Sequence, residues 1–281
     1  DQVTIAGESA GAFSVSTIMA MPQSRGLFCK AITQSGAGHH VIPQKEAEVA
    51  GQLLMDRLEA NSLHELQSRT VDDILEAQQY VEAHSNEFMT AGQLPFYPSI
   101  TPEVLTDHPI ELFEKGVSAD IPLLTGTNTD ETTLWGTNQI PEEKLHKWLG
   151  NYVSEPTPYI EAVRQDRGEI SAGEIALAVS TDYTFRIPAI RMAEARESHG
   201  GESWMYEFDW KSKAFNGLLG SCHALEIPFT FGTLDAKGTE LFLGTSDLPN
   251  HVGDVMHTAW AAFIREGNPS TNALGEWPTY E

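Results

Sequence analysis

The chain has 281 residues, 41% of them hydrophobic, which is enough for one large core or two ordinary ones. Its 17 basic and 40 acidic residues give a formal net charge of −23, which argues against the clustered Lys and Arg of a nucleic-acid binder and favours a solvated acidic surface. No apolar run approaches the roughly 18 residues that a membrane span requires.

The chain opens on "VTIAGESAGAFSVSTI", residues 3–18. Val3 to Ala6 are β-formers, and a helix is expected from about Ala12. The Gly-Glu-Ser-Ala-Gly between them fits a nucleophile elbow, a tight strand-to-helix turn that thrusts a serine toward a base. In such a turn the residues two before and two after the serine approach each other, and Gly7 and Gly11 hold those places. By itself, G-x-S-x-G arises by accident in roughly one chain of this length in ten. The bland alternative makes Gly7 and Gly11 turn residues and Ser9 a helix N-cap.

Further along, CKAITQSGA (29–37) reads as a strand entering a glycine turn. Residues 44–60 and 70–84 carry helical spacing of apolar positions. ADIPLLTGTN (119–128) is a near-continuous apolar strand, as expected when both faces of a parallel sheet are covered. Residues 141–200 are mostly helical, 202–210 alternate like a strand, and 255–270 form an amphipathic helix stopped by Gly267 and Pro269. Strands separated by helices predict an α/β fold with a mainly parallel sheet. The expected organisation is one incomplete domain over 1–281, with helical insertions at about 44–95 and 141–200.

A nucleophilic Ser9 needs a histidine base and a carboxylate, in the chain order serine, acid, histidine. Asp130 and Glu131 follow the strand 119–128, and either can serve on physical grounds. Beyond them lie His146, His199, His223, His251 and His257. His146 and His257 fall in helical patterns and His199 ends a helix. His251 lies in a polar loop and stays open. His223 follows a strand and a glycine-containing loop, where a base belongs. The neighbours His39 and His40 point apart and lack ligand spacing for a metal. Cys29 and Cys222 are the only cysteines and are far apart, so neither a zinc site nor a disulfide framework is signalled. Reduced thiols slightly favour a cytoplasmic over a secreted protein.

With these motifs in place the sequence resembles the type B carboxylesterases, relatives of the cholinesterases with the α/β-hydrolase fold. The resemblance rests on "DQVTIAGESAGAFSVSTIMAMPQSRGLFCKAITQSGA", "IPLLTGTNTDETTLW", "LGSCHALEIPFTFG" and "WAAFIREGNPS" followed by "WPTYE", in that order. It implies Ser9 as nucleophile, Glu131 rather than Asp130 as acid, and His223 as base. It departs at Thr132, where many members carry Gly. It also implies a preceding part with the first strands and a Gly-Gly-rich oxyanion loop, so the chain is expected to be a C-terminal fragment beginning at the elbow.

The reaction so implied is hydrolysis of a small carboxylic ester through an acyl-serine, with the Ala10 N–H as one oxyanion donor and Glu226 as support behind His223. No metal or organic cofactor is implied, and oligomeric state is not readable. With only the Ala10 donor encoded, residues 1–281 alone are expected to be nearly inactive. A lipase or amidase on the same fold would look similar. The rival from another class is a catalytically silent cholinesterase-like binding domain.

Overall fold

The structure is a computed structural model describing residues 2–89, 94–136, 140–245 and 248–281. It divides into two compact units, one formed by residues 1–39 with 109–281 and the other by residues 40–108. In chain order, β1 (Thr4–Glu8) leads into α1 (Ala10–Ala20) and β2 (Lys30–Gln34). The second unit then holds β3 (Ile42–Pro43), α2 (Gln44–Arg57), α3 (Leu63–Gln67), α4 (Val71–His84) and β4 (Ser99–Ile100). The first unit resumes with α5 (Pro109–Glu114), β5 (Leu123–Asn128), α6 (Glu142–Leu149), α7 (Pro156–Arg167), α8 (Ala172–Thr181), a π-helical turn at Asp182–Arg186 and α9 (Ile187–Glu197). β6 (Ser203–Phe208), α10 (Ile227–Phe231), α11 (Glu240–Leu243) and α12 (Asn250–Glu266) follow.

The first unit is built on a four-stranded parallel sheet in the order β1-β2-β5-β6. Every residue of β2 and β5 is buried, the burial expected of central parallel strands. Ile32, Leu124, Trp204 and Phe208 lie in one core cluster with Met256, Trp260 and Phe263 of α12. The spacing of those helix residues, with Gly253 and Ala259 also buried, is the period that lays one helical stripe on a sheet. Gly267 ends α12 in the left-handed region (φ 81°) and its N–H bonds back to Phe263 O at 2.8 Å, the glycine stop that the sequence predicts. The second unit packs α2, α3 and α4 around Leu58, Ala60 and Ala77. Side-chain caps start the helices where the sequence offers them: Thr70 with Asp73 boxes α4, and Ser171 with Glu174 boxes α8.

The predicted strands at 3–6, 29–37, 119–128 and 202–210 are β1, β2, β5 and β6 with trimmed or shifted ends. Two boundaries matter for the site. α1 begins at Ala10, directly after Ser9, instead of near Ala12. α12 begins at Asn250, so His251 belongs to its first turn and not to a polar loop. Of the helical stretch expected at 44–95, the helices end at His84, a 3-10 turn closes at Glu87, and residues 90–93 lie outside the described residues. No helix among the described residues is long and apolar enough to cross a membrane.

Candidate active site

The parallel sheet brings the carboxyl ends of its strands to one edge, where α/β proteins place their sites. β1 ends at Glu8, Ser9 has φ 55° and ψ −120°, and α1 starts one residue later. Positive φ on a non-glycine residue is strained backbone, and here it is fixed from both sides. Ser9 N–H donates to Gln34 O at 2.9 Å, and Phe13 N–H donates to Ser9 O at 3.0 Å. The Ser9 hydroxyl makes no capping bond, so the N-cap alternative has no support. Ala10, as the first residue of the helix, has an N–H with no intrahelical acceptor.

The glycines of the elbow differ. A Cβ on Gly7 would lie 2.2 Å from Gly11 C and 2.3 Å from Gly11 O, whereas a Cβ on Gly11 would meet nothing within 4 Å. The close approach predicted from the sequence is therefore one-sided: Gly7 must lack a side chain and Gly11 need not. Gly7→Ala is expected to cost about 3 kcal/mol or more, while Gly11→Ala folds with the parental stability. Urea melts of the two variants compare them, and equal midpoints would remove the steric account.

The candidate acid lies three residues beyond the end of β5. Glu131 is 0% exposed and opens a 3-10 turn, Glu131–Trp135. Asn128 N–H donates to its Oε1 at 2.8 Å, and its Oε2 lies 2.7 Å from His223 Nδ1. His223 N–H also donates to Glu131 O at 3.1 Å. Asp130 faces elsewhere: its Oδ2 accepts from Ser221 N–H at 3.0 Å and its own N–H donates to Ser221 O at 2.9 Å. Of the two adjacent carboxylates, only Glu131 meets the imidazole. Thr132 bonds to Leu177 O, Ser180 Oγ and Thr181 Oγ1, all on α8. That departure from the common Gly leaves Glu131 in contact with His223.

The other histidines have separate engagements or positions. His199 Nε2 bonds with Glu114 O, His257 Nδ1 bonds with Thr230 O, His146 lies on α6, and His251 lies in the first turn of α12.

Glu8 was not among the residues singled out from the sequence. Its Oε1 lies 3.1 Å from His223 Nε2, the nitrogen opposite Glu131, within ion-pair distance. The two atoms are buried and neither makes a hydrogen bond, so charge, not a directed bond, links them. Burial pushes the Glu8 carboxyl up to about 7, against the pull of His223 and with added repulsion from Glu226 and Glu131. Burial alone would lower the His223 pKa. The Glu131 hydrogen bond and the negative charges of Glu131, Glu8 and Glu226 outweigh it, and the imidazole pKa is raised. The signal for Glu8 was in the motif itself, as the variable residue immediately before Ser9.

Glu226 is 0% exposed and sits behind this group. Its Oε1 accepts from Gln34 Nε2 at 3.0 Å and its Oε2 from Asn128 Nδ2 at 2.7 Å. Trp260 Nε1 in turn donates to Gln34 Oε1 at 2.9 Å. Burial raises the Glu226 pKa, and the nearby charge of Glu131 adds to the shift. Gln34 and Asn128, the last residues of β2 and β5, thus join the sheet edge to the acid cluster. Cys29 and Cys222 are free thiols, and burial pushes the Cys222 thiol up to about 12.

Trp135 and Phe185 are further residues that the sequence did not single out. Each ring centroid lies 4.9 Å from the His223 ring.

The carboxylesterase family profile matches residues 1–281. Among curated proteins, the para-nitrobenzyl esterase of Bacillus subtilis is 34% identical over 289 aligned positions that span 100% of this chain and 56% of that protein. Human carboxylesterase 5A is 28% identical, across 99% of this chain and 51% of its own length. Among solved structures, a PNB esterase superposes with a TM-score of 0.80 at 33% identity, covering 100% of this chain and 57% of that one. The chain thus spans a little over half the length of the relatives it matches. A match along the whole chain, with the same fold at this similarity, identifies it as a member of the carboxylesterase family.

Proposed function

We propose that the protein hydrolyses carboxylic esters through an acyl intermediate on Ser9. The observation that carries this reading is the buried His223: its Nδ1 lies 2.7 Å from Glu131 Oε2 while its Nε2 makes no hydrogen bond. An imidazole held by a carboxylate on one nitrogen, with the other facing the Glu8 carboxylate at 3.1 Å but engaged in no hydrogen bond, can accept a proton from a serine. His223 takes the Ser9 proton as Oγ attacks the ester carbonyl, and the Ala10 N–H donates to the oxygen that becomes negative. Collapse releases the alcohol, protonated by His223. Water, activated by the same imidazole, then cleaves the acyl-serine and releases the acid. Glu131 fixes the tautomer with the proton on Nδ1 and stabilises the imidazolium. Asn128, Gln34 and Glu226 hold the surrounding cluster.

The substrate is a small molecule with a carboxylic ester. One relative of this chain is called para-nitrobenzyl esterase, a name that supports an ester substrate. Incubating the complete protein with an organophosphate and mapping the adduct by mass spectrometry tests the nucleophile. The adduct is expected on the peptide carrying Ser9, and a single adduct on any other serine would refute the assignment.

The acid cluster makes a second prediction. His223 must be neutral to accept a proton, so kcat/KM rises with pH through its titration. Because its pKa is raised, that limb is expected above the ordinary histidine value. Replacing Glu8 by Gln removes one of the charges that raise it, so the limb should move to lower pH. A pH–rate profile of Glu8→Gln with its acid limb unmoved, or moved upward, would show that Glu8 does not act on the imidazole.

A further inference from the structure

The short turn that presents Glu131 to His223 leans on a helix outside the sheet edge. Thr132, the next residue, is bonded to the last turn of α8. Its hydroxyl oxygen lies 3.0 Å from Leu177 O, 2.9 Å from Ser180 Oγ and 3.1 Å from Thr181 Oγ1. Its N–H donates to Thr181 Oγ1 at 3.3 Å. A hydroxyl has one proton and two lone pairs. Donation to Leu177 O, with acceptance from Ser180 and Thr181, saturates it and leaves the side chain one position. Ser180 and Thr181 are buried, and hydrogen bonds shielded from water are the stronger for it.

The same helical run reaches the other side of the acid. α8 passes without a break into the π-helical turn. There Arg186 donates to Thr129 O at 3.2 Å and pairs with Asp182 at 2.8 Å and Glu207 at 2.6 Å. Thr129 precedes Glu131 and Thr132 follows it, so the acid is bracketed by two ties to one helical run. On the opposite side, Asp130 and the Glu131 carbonyl tie the turn to the loop that carries His223. The turn is thus fixed between α8 and the base, and Thr132 is the tie next to the acid.

We infer that Thr132 is a positioning residue, which sets Glu131 against His223 by anchoring the acid turn to the hydroxyls of α8. The inference rests on the proposed ester hydrolysis. Catalytic groups must be held to within about 0.5 Å of their productive geometry by the residues behind them, and the 2.7 Å contact between Glu131 and His223 is the one at stake. The glycine that many family members carry after the acid offers α8 no hydroxyl, so the anchor comes with the threonine.

Valine has the shape of threonine without the hydroxyl. In Thr132→Val, Ser180 turns to Leu177 O, already 3.1 Å away, and Thr181 Oγ1 still accepts the backbone N–H, so the fold is kept. Asn128 N–H still holds Glu131 Oε1, so the loss is partial. With a short-chain aryl ester and the complete protein, kcat is expected to fall about tenfold and KM to stay within about twofold. The Glu131 hydrogen bond helps to raise the His223 pKa, so loosening it should move the acid limb of kcat/KM to lower pH, with the influence of Glu8 and Glu226 unchanged. Thr132→Ser keeps the hydroxyl and should hold kcat within about threefold of the parent.

A double-mutant cycle excludes a merely structural role. If Thr132 acts through Glu131, adding Thr132→Val to Glu131→Gln lowers kcat by less than about twofold. A tenfold loss that persists in that background overturns the inference. So does a parental kcat with an unmoved limb in Thr132→Val, or a serine variant as impaired as the valine one. If the valine variant fails to fold, Thr181→Val removes the same bonds from the α8 side and should move the limb in the same direction; an unmoved limb there overturns the inference too. Organophosphate labelling separates the two levels. A labelled parental protein indifferent to these substitutions removes the positioning role alone, whereas a parental protein that cannot be labelled removes the ester reading and this role with it.

Discussion

Replacing Ser9 by Ala is expected to lower ester turnover by about 10,000-fold or more and to abolish organophosphate labelling, with the fold unchanged. Chemistry and stability separate cleanly at this position. The bonds that fix the elbow run through the Ser9 backbone, from its N–H to Gln34 O and from Phe13 N–H to its carbonyl. The hydroxyl caps nothing, and alanine keeps the same Cβ at the same strained φ. Melting should therefore shift by no more than about 0.5 kcal/mol. What the variant loses is the oxygen that attacks the carbonyl, and His223 is left with no serine proton to accept. Residual turnover would come only from oxyanion stabilisation and substrate binding. Turnover within tenfold of the parent, measured with a short-chain aryl ester on the complete protein, would show that another residue is the nucleophile.

The elbow was legible because it is local. A strand, a Gly-x-Ser-x-Gly and a helix are contiguous in sequence, and the backbone that leaves Gly7 no room for a side chain is that of Gly11, only four residues away. The parallel sheet was legible for a related reason: the apolar run that leads through Leu123 and Leu124 into β5 does not alternate, as a strand covered on both faces requires, whereas β2, equally buried, carries Lys30, Thr33 and Gln34 and showed only as a strand entering a glycine turn. Element ends were less so. The start of α12 at Asn250 was not legible because the only buried residue ahead of Val255 is Gly253, which has no side chain to show an apolar spacing, so the sequence pattern begins only at Val255.

The contacts that tune the site were not legible, since each depends on segments far apart in the chain. Glu8 meets His223 across 215 positions, and Gln34 meets Glu226 across 192. Phe185 and Trp135 are 50 residues apart, and nothing in either local pattern brings them to one imidazole. Thr132 shows the converse. Read alone, it departs from the residue many relatives carry, yet its hydroxyl is absorbed by α8 at Leu177, Ser180 and Thr181. The choice between Asp130 and Glu131 also needed the resemblance, because adjacent carboxylates after one strand are equivalent until the backbone direction is known.

That choice yields the second large effect. Glu131→Gln is expected to reduce kcat by about 1,000- to 10,000-fold, and Asp130→Asn by less than about tenfold. The difference follows from hydrogen-bond polarity. Asn128 N–H donates to Glu131 Oε1 at 2.8 Å, which leaves Oε2 to face His223 Nδ1 at 2.7 Å. In the glutamine variant only the carbonyl oxygen can accept from Asn128, so the amide NH2 is turned toward Nδ1. Nδ1 must then become an acceptor, and the ring proton moves to Nε2. An imidazole protonated on Nε2 cannot take the Ser9 proton, even though every side chain stays in position. Asp130 has no such leverage. Its Oδ2 accepts from Ser221 N–H at 3.0 Å, and asparagine keeps an oxygen for that bond. Steady-state kinetics on one ester, with both variants made in the complete protein, decide between the two carboxylates. If Asp130→Asn is the crippling change and Glu131→Gln is mild, the acid has been assigned to the wrong neighbour, and the 2.7 Å contact serves structure instead of catalysis.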